Sequence, residues 1–175
     1  RRMRLVATEA CRRAKNGKYF LEKVNSDTGL KLEIISPAEE ARLAIISCAP
    51  LLEPKMNQVL VVDIGGGSTE LVWIDLANVP DQDRAKAMMM MAPSDKHRRK
   101  LIEKNTNAKI VDWISVPSGV ATLHQKYSDV EDDTARFALM SCYFEDQIAD
   151  FKPYLKSYSK GILRDFQIIG TSGTI

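Results

Sequence analysis

Residues 59–74 read VLVVDIGGGSTELVWI, two apolar runs rich in β-branched and aromatic residues held apart by three consecutive glycines. The pattern predicts a strand, a tight glycine turn and a second strand. Each glycine costs backbone entropy on folding, and a plain hairpin needs at most one or two residues at positive φ and prefers Asn-Gly or Asp-Gly. Gly65, Gly66 and Gly67 in a row therefore point to a loop whose bare backbone must approach a ligand. A P-loop would need a lysine after Gly67, and a dinucleotide fingerprint would need a third glycine where Glu70 stands, with a helix next. Neither fits. What remains is a hairpin loop whose N–H groups form an anion cradle, with Ser68 and Thr69 as hydroxyl donors. Asp63 and Glu70 would repel a phosphate directly, but they make sense with magnesium, Mg2+, between, since that hard cation takes one or two carboxylates, waters and substrate phosphates. The competing reading is a plain turn with Asp63 in solvent.

The residues around this hairpin read as alternating strands and helices. Residues 5–7 form a short apolar run, and Thr8 can cap a helix carrying Ala10, Cys11 and Ala14, resumed after Asn16-Gly17 by Phe20, Leu21 and Val24. Residues 30–35 predict a strand. Ser36, Pro37 and Glu39 then announce a helix as cap, first-turn proline and capping-box acid, and that helix runs through Leu43 and Ile46 to about Pro50. With Glu39 used by the cap, Glu40 is left free about one turn inside, where it reads either as a solvated first-turn acid or as a general base facing a phosphate site. Arg12 and Arg13 follow the first strand by one turn, where a guanidinium can clamp a phosphate bidentately; either also reads as a surface charge, the preferred reading for Arg13.

Residues 49–57, with two prolines and no clear period, predict a linker and a boundary. Residues 78–107 have no readable pattern, and Met88 to Met91 within them suit a buried strand or a helix equally. A strand is expected over 109–116 and a turn over 117–119. Phe137, Ser141, Phe144, Ile148, Phe151 and Leu155 recur every three to four residues, which predicts a long amphipathic helix packed on the core. A last strand over 166–169 and a second glycine turn over 170–174 complete the reading.

Composition narrows the class. The net charge of +2 over 175 residues is too near neutral for general nucleic-acid binding, although the first fifteen positions are locally basic. Cys11, Cys48 and Cys142 lie far apart without CxxC spacing, which argues against a disulfide framework or a zinc site and fits a reducing cytoplasm. No apolar run approaches the roughly 18 residues a membrane span requires. His97 and His124 lack partners at ligand spacing, and Ser68 lacks the GxSxG elbow. Because Arg1 is no natural initiator and the chain stops after a glycine turn, it is expected to be a piece of a longer protein.

With these residues in hand, the sequence resembles the exopolyphosphatase and guanosine pentaphosphate phosphohydrolase family, a branch of the actin, sugar-kinase and heat-shock ATPase superfamily. The matching segments are VATEACRRAKN, EIISPAEEARLA, VVDIGGGSTELV and IIGTSGTI, in the family's order. ISVPSGVATL is only loosely similar to a family segment. The resemblance implies an α/β fold of two ribonuclease-H-like (actin-like ATPase) lobes, each a mixed sheet flanked by helices. Residues 1–56 would be the end of the first lobe and 57–175 most of the second.

It further implies a cytoplasmic enzyme, a homodimer when full length, that removes terminal phosphate from inorganic polyphosphate or guanosine pentaphosphate with water and Mg2+. In that scheme Glu40 is the water-activating base, Asp63 and Glu70 belong to the metal and water shell, and Gly65, Gly66, Gly67 and Ser68 form the phosphate loop. Arg12 would bind substrate phosphate. Neither nucleic acid nor membrane is an expected partner. The family's first phosphate hairpin, Asp-x-Gly-Ser-Asn, is missing, so the piece on its own need not hydrolyse anything. Pro37 stands where the family usually has glycine, and Ser118 and Thr122 replace a leucine and an arginine. The alternatives are an ATP-using kinase or ATPase of the same superfamily and a non-catalytic phosphate- or nucleotide-sensing module.

Overall fold

The structure is a computed structural model, and it describes residues 3–91, 107–151 and 165–172. Two sheets organise it. The smaller pairs β1 (Leu5–Ala7) with β2 (Leu32–Ile34) in parallel, joined by helices α1 (Glu9–Arg13) and α2 (Gly17–Thr28). The larger is four-stranded, in the order β5-β4-β3-β6, from β3 (Gln58–Ile64), β4 (Thr69–Asp75), β5 (Lys109–Val116) and β6 (Phe166–Ser172). β4 is antiparallel to both β3 and β5, while β6 runs parallel to β3, so the sheet is mixed.

Helix α3 (Pro37–Cys48) covers one face of the larger sheet. Its start follows the predicted chemistry: Ser36 accepts the Glu39 N–H at 3.2 Å and Pro37 occupies the first turn. The Glu39 carboxylate does not return to close a capping box; it goes to Arg42 and Arg4 instead. Ala41, Ala44, Ile45 and Cys48 form the buried stripe of α3 and meet Val59, Val61, Val72 and Ile74 of the sheet. Leu52 and Met56, on the proline-rich connection, join the same core. The opposite face of the sheet holds a smaller cluster of Leu71, Trp73 and Phe151, with the Trp73 and Phe166 rings stacked at 4.9 Å.

Residues 78–91, opaque in the sequence, fold around one buried arginine. Arg84, at the start of α4 (Arg84–Met89), donates to the Val79 carbonyl at 3.0 Å, the Pro54 carbonyl at 2.7 Å and Asn57 Oδ1 at 2.7 Å, and pairs with Asp81. A guanidinium can satisfy that many acceptors at once, which is why it is stable there at 5% exposure. Met88 and Met91 are buried and Met89 and Met90 are exposed, the pattern of a helix end.

Two further expectations are corrected. The long helix α6 (Asp133–Ile148), which follows the short α5 (Val120–Lys126), buries none of its residues, and Phe137 is 71% exposed. Among the described residues of that face only Ile148 and the following Phe151 reach the core, and Leu155 lies outside the described residues. Periodicity identifies an apolar face but not what covers it. Gly170, Thr171 and Ser172 are the end of β6 rather than a turn, because they pair in register with Val62, Asp63 and Ile64. Gly173 and Thr174, the rest of the expected turn, lie outside the described residues.

Candidate functional site

One wall of the site comes from the smaller sheet. The β1–β2 pairing aligns Ala7 with Ile34, and the Ile35 N–H donates to the Ala7 carbonyl at 3.0 Å. Both strands therefore end at the same level, and the helices that follow them start side by side. That brings Arg12, one turn into α1, to Glu40, one turn into α3, with Arg12 Nη2 2.8 Å from Glu40 Oε2. The same guanidinium donates through Nε to Glu9 Oε2 at 3.1 Å and through Nη1 to the Ile35 carbonyl at 2.8 Å. Arg12 is thus a buttress for Glu40 as the protein stands, rather than a free clamp. Both side chains are only 14% exposed.

The hairpin supplies the other wall. Cross-strand register aligns Thr171, Asp63, Glu70 and Ser115 in one row across four strands, so these side chains share one face of the sheet. Glu70 is 1% exposed. Its Oε1 accepts from Ser115 Oγ at 2.8 Å, while Oε2 is buried without a partner among the described residues. Burial pushes the Glu70 carboxyl up to about 7; the Ser115 and Ser68 hydroxyls pull against that shift, and the charges of Glu40 and Asp63 add to it. Asp63 is also raised, by burial first and by Glu40 second. The charge of Glu40 therefore reaches both hairpin acids, and the two walls meet.

The glycine loop is shaped by proximity rather than by left-handed backbone, since none of its three glycines has positive φ. The Gly65 N–H donates to the Ser68 carbonyl at 2.9 Å and closes the turn. A Cβ on Gly67 would sit 3.2 Å from Glu9 Cγ, so the first wall packs directly on the loop. A Cβ on Gly66 would meet nothing within 4 Å. Space is therefore open in front of Gly66, and the N–H groups of Gly66 and Gly67 have no acceptor among the described residues. Opposite, Gly119 backs onto the loop, where a Cβ would come within 2.2 Å of the Gly65 carbonyl oxygen.

The structure thus gathers Arg12, Glu40, Asp63, Gly65, Gly66, Gly67, Ser68 and Glu70 at one place. Ser68 is 2% exposed. Sequence reasoning missed Glu9, Ser115 and Gly119. Ser115 could have been found from the alternation of β5; Glu9 and Gly119 act through contacts that no local pattern encodes. Among the described residues no group of three or more His, Cys, Asp or Glu could hold a metal ion. A buried acid with an orphaned oxygen and a half-buried one beside it nevertheless suit a hard cation that keeps most of its waters and takes phosphate oxygens.

A mixed sheet flanked by helices, with a glycine hairpin between neighbouring acids, is the architecture of an actin-like ATPase fold. The chain belongs to the Ppx/GppA phosphatase family, whose sequence profile matches residues 1–175. The PPX-GPPA enzyme of Aquifex aeolicus is similar at 28% identity and a TM-score of 0.51, over 95% of this chain and 42% of that one. An exopolyphosphatase from Cytophaga hutchinsonii superposes with a TM-score of 0.63 at 20% identity over 96% of this chain and 43% of that one, which bears on fold alone. Retrograde regulation protein 2 of Saccharomyces cerevisiae is 36% identical over 72 residues, 41% of this chain and 12% of that protein. The chain therefore spans well under half the length of each. No helix among the described residues is long and apolar enough to cross a membrane.

Proposed function

We propose that this chain supplies the glycine-hairpin side of a phosphoanhydride hydrolase of exopolyphosphatase type, acting on the terminal phosphate of inorganic polyphosphate or guanosine pentaphosphate. In this reading residues 1–56 complete a first lobe and 57–175 form most of a second. The observation that carries it is the buried, unpartnered Oε2 of Glu70, beside Asp63 and within reach of Glu40's charge. Three acids converging on unused amides call for a cation and a polyanion from outside. Asp63 and Glu70 are the residues that would hold Mg2+, which when bound supplies positive charge against the phosphate oxygens.

The chain's own residues do the rest. The Gly66 and Gly67 N–H groups receive the terminal phosphoryl oxygens, donors fixed in advance and therefore free of reorganisation cost. Arg12, anchored on Ile35 and Glu9, holds Glu40 in place. Glu40 takes a proton from the attacking water as its oxygen bonds to phosphorus, and the bridging oxygen leaves with the shortened chain.

A second reading, phosphate sensing without turnover, is favoured by the name of the yeast relative, a regulation protein. The substitution Glu40→Gln separates the two in the protein that carries this chain. Hydrolysis predicts that phosphate release from polyphosphate falls by about 10²–10⁴, the usual worth of a general base. Affinity for inorganic tripolyphosphate should stay within about twofold, since a base acts in the transition state. A parent protein that binds tripolyphosphate but releases no phosphate would establish sensing instead.

A further inference from the structure

The start of α5 is a second feature of this loop, and it is not used in the chemistry above. Its amides, which at a helix end ordinarily lack partners, are consumed by the glycine loop: Val120 N–H donates to the Gly65 carbonyl at 3.0 Å, and the Ala121 and Thr122 N–H groups donate to the Gly66 carbonyl at 3.0 and 3.2 Å. The approach is close because Gly119 has no side chain; its Cβ would lie 2.2 Å from Gly65 O, 2.6 Å from Gly66 C and 2.7 Å from Gly67 N. The segment is itself pinned. Thr122 Oγ1 accepts the Gly119 N–H at 2.8 Å, and the buried Thr69 Oγ1 donates to the Ser118 carbonyl at 2.8 Å.

Peptide geometry turns these contacts into a device. In a planar trans peptide the C=O and the N–H point in opposite directions. The Gly65 carbonyl shares its plane with the Gly66 N–H, and the Gly66 carbonyl shares its plane with the Gly67 N–H. Drawing both carbonyls onto α5 therefore turns the Gly66 and Gly67 N–H groups away from it, where neither has an acceptor among the described residues and where the space in front of Gly66 is open.

We infer that residues 118–122, centred on Gly119, are a positioning element that sets the two peptide planes of the loop and so makes it an anion receptor. Three identical flexible residues do not hold two parallel donors by themselves; the helix start does. The inference rests on the reading of the loop as a phosphate cradle. Ser118 and Thr122 hold the segment behind the loop, through a main-chain carbonyl and a hydroxyl.

The test is amide NMR on the protein that carries this chain, with Val120→Pro. Proline suits the first helical position, Gly119 already has the extended backbone that precedes a proline (φ −127°, ψ −173°), and Val120 is 48% exposed. The substitution removes the N–H that holds the Gly65 carbonyl and puts the ring carbon where that hydrogen pointed, so it both frees and displaces the loop. Without ligand, the Gly66 and Gly67 resonances should move while those of β3 and β4 stay. Inorganic tripolyphosphate with Mg2+ should then bind about tenfold more weakly, the worth of one hydrogen bond.

Thr122→Val, which removes only the hydroxyl behind Gly119, should act in the same direction, with Thr122→Ser restoring parental behaviour. Folded variants whose Gly66 and Gly67 resonances coincide with the parent's would overturn the inference. A parent whose loop amides ignore tripolyphosphate would instead overturn the cradle reading, and the ligand-free comparison would still decide the role of α5.

Discussion

The two walls of the site are both rich in carboxylates and neutralise them in opposite ways. On the wall built by β1, β2, α1 and α3, Glu33 and Glu39 are paired with Arg4, Glu39 also with Arg42, and Glu9 and Glu40 with Arg12. On the hairpin wall neither Asp63 nor Glu70 has an ion pair among the described residues. Titration follows this division: Arg42 and then Arg4 hold Glu39 down at about 2, whereas burial lifts Glu70 to about 7. One wall is electrostatically complete. The other is left short of positive charge, and it is the one that carries the amides suited to phosphate. Such an arrangement is expensive unless a cation arrives with the substrate.

The largest way to break the comparison is to withhold the cation. Chelation by EDTA should reduce phosphate release by the whole protein to background, with recovery on adding Mg2+; release that persists would mean that the hairpin acids need no metal. Next comes Gly66→Ala, which fills the open space without meeting any atom within 4 Å. Tripolyphosphate affinity should fall by about 10- to 100-fold, the loss of one or two donors to a charged group, while stability changes by less than about 1 kcal/mol. Calorimetric titration beside a thermal melt measures both.

A smaller effect is expected on the complete wall. Arg12→Ala strips Glu40 of its ion pair, leaves Glu9 with Arg13 at 3.7 Å alone, and frees the Ile35 carbonyl, at a cost of roughly 1–3 kcal/mol in urea unfolding. Arg12→Lys should recover only part of it, since one ammonium cannot reach three acceptors in fixed directions.

The remaining effects are in pH dependence, and they differ in sign between the walls. Glu70 is more easily protonated folded than unfolded, so stability should decline as pH rises from about 4.5 to about 7 and level off above. Glu39 is harder to protonate when folded, so its contribution is present above about 4.5 and is lost as pH falls towards about 2. Glu70→Gln should flatten the first slope and Glu39→Gln the second; unfolding free energies across that range would show an exchange of roles if the assignment is reversed.

Much of this was legible in local sequence. Strand β5 coincides with its expected span over Lys109–Val116, the Ser36 cap starts α3, and the glycine hairpin lies between β3 and β4. These features are written in turn chemistry and period. The reason for the glycines was only half legible: close approach governs them, not positive φ, and close approach involves Glu9 and Gly119, far away in sequence. The partners of Arg12, namely Glu9, Glu40 and Ile35, are not legible in sequence because they come together only through the β1–β2 pairing. The apolar face of α6 was read as core because spacing carries no information about its partner, and Phe137 points outward.

The central claim is that a divalent cation settles on the hairpin acids and not on the arginine-laced wall. Manganese, a hard divalent stand-in for Mg2+, tests it through selective paramagnetic broadening of amide resonances when added with inorganic tripolyphosphate. Loss of signal centred on Asp63, Gly66 and Glu70, with Glu39 and Arg42 spared, is the predicted result. Broadening centred on Glu33 and Glu39, or spread evenly over the surface, would contradict it.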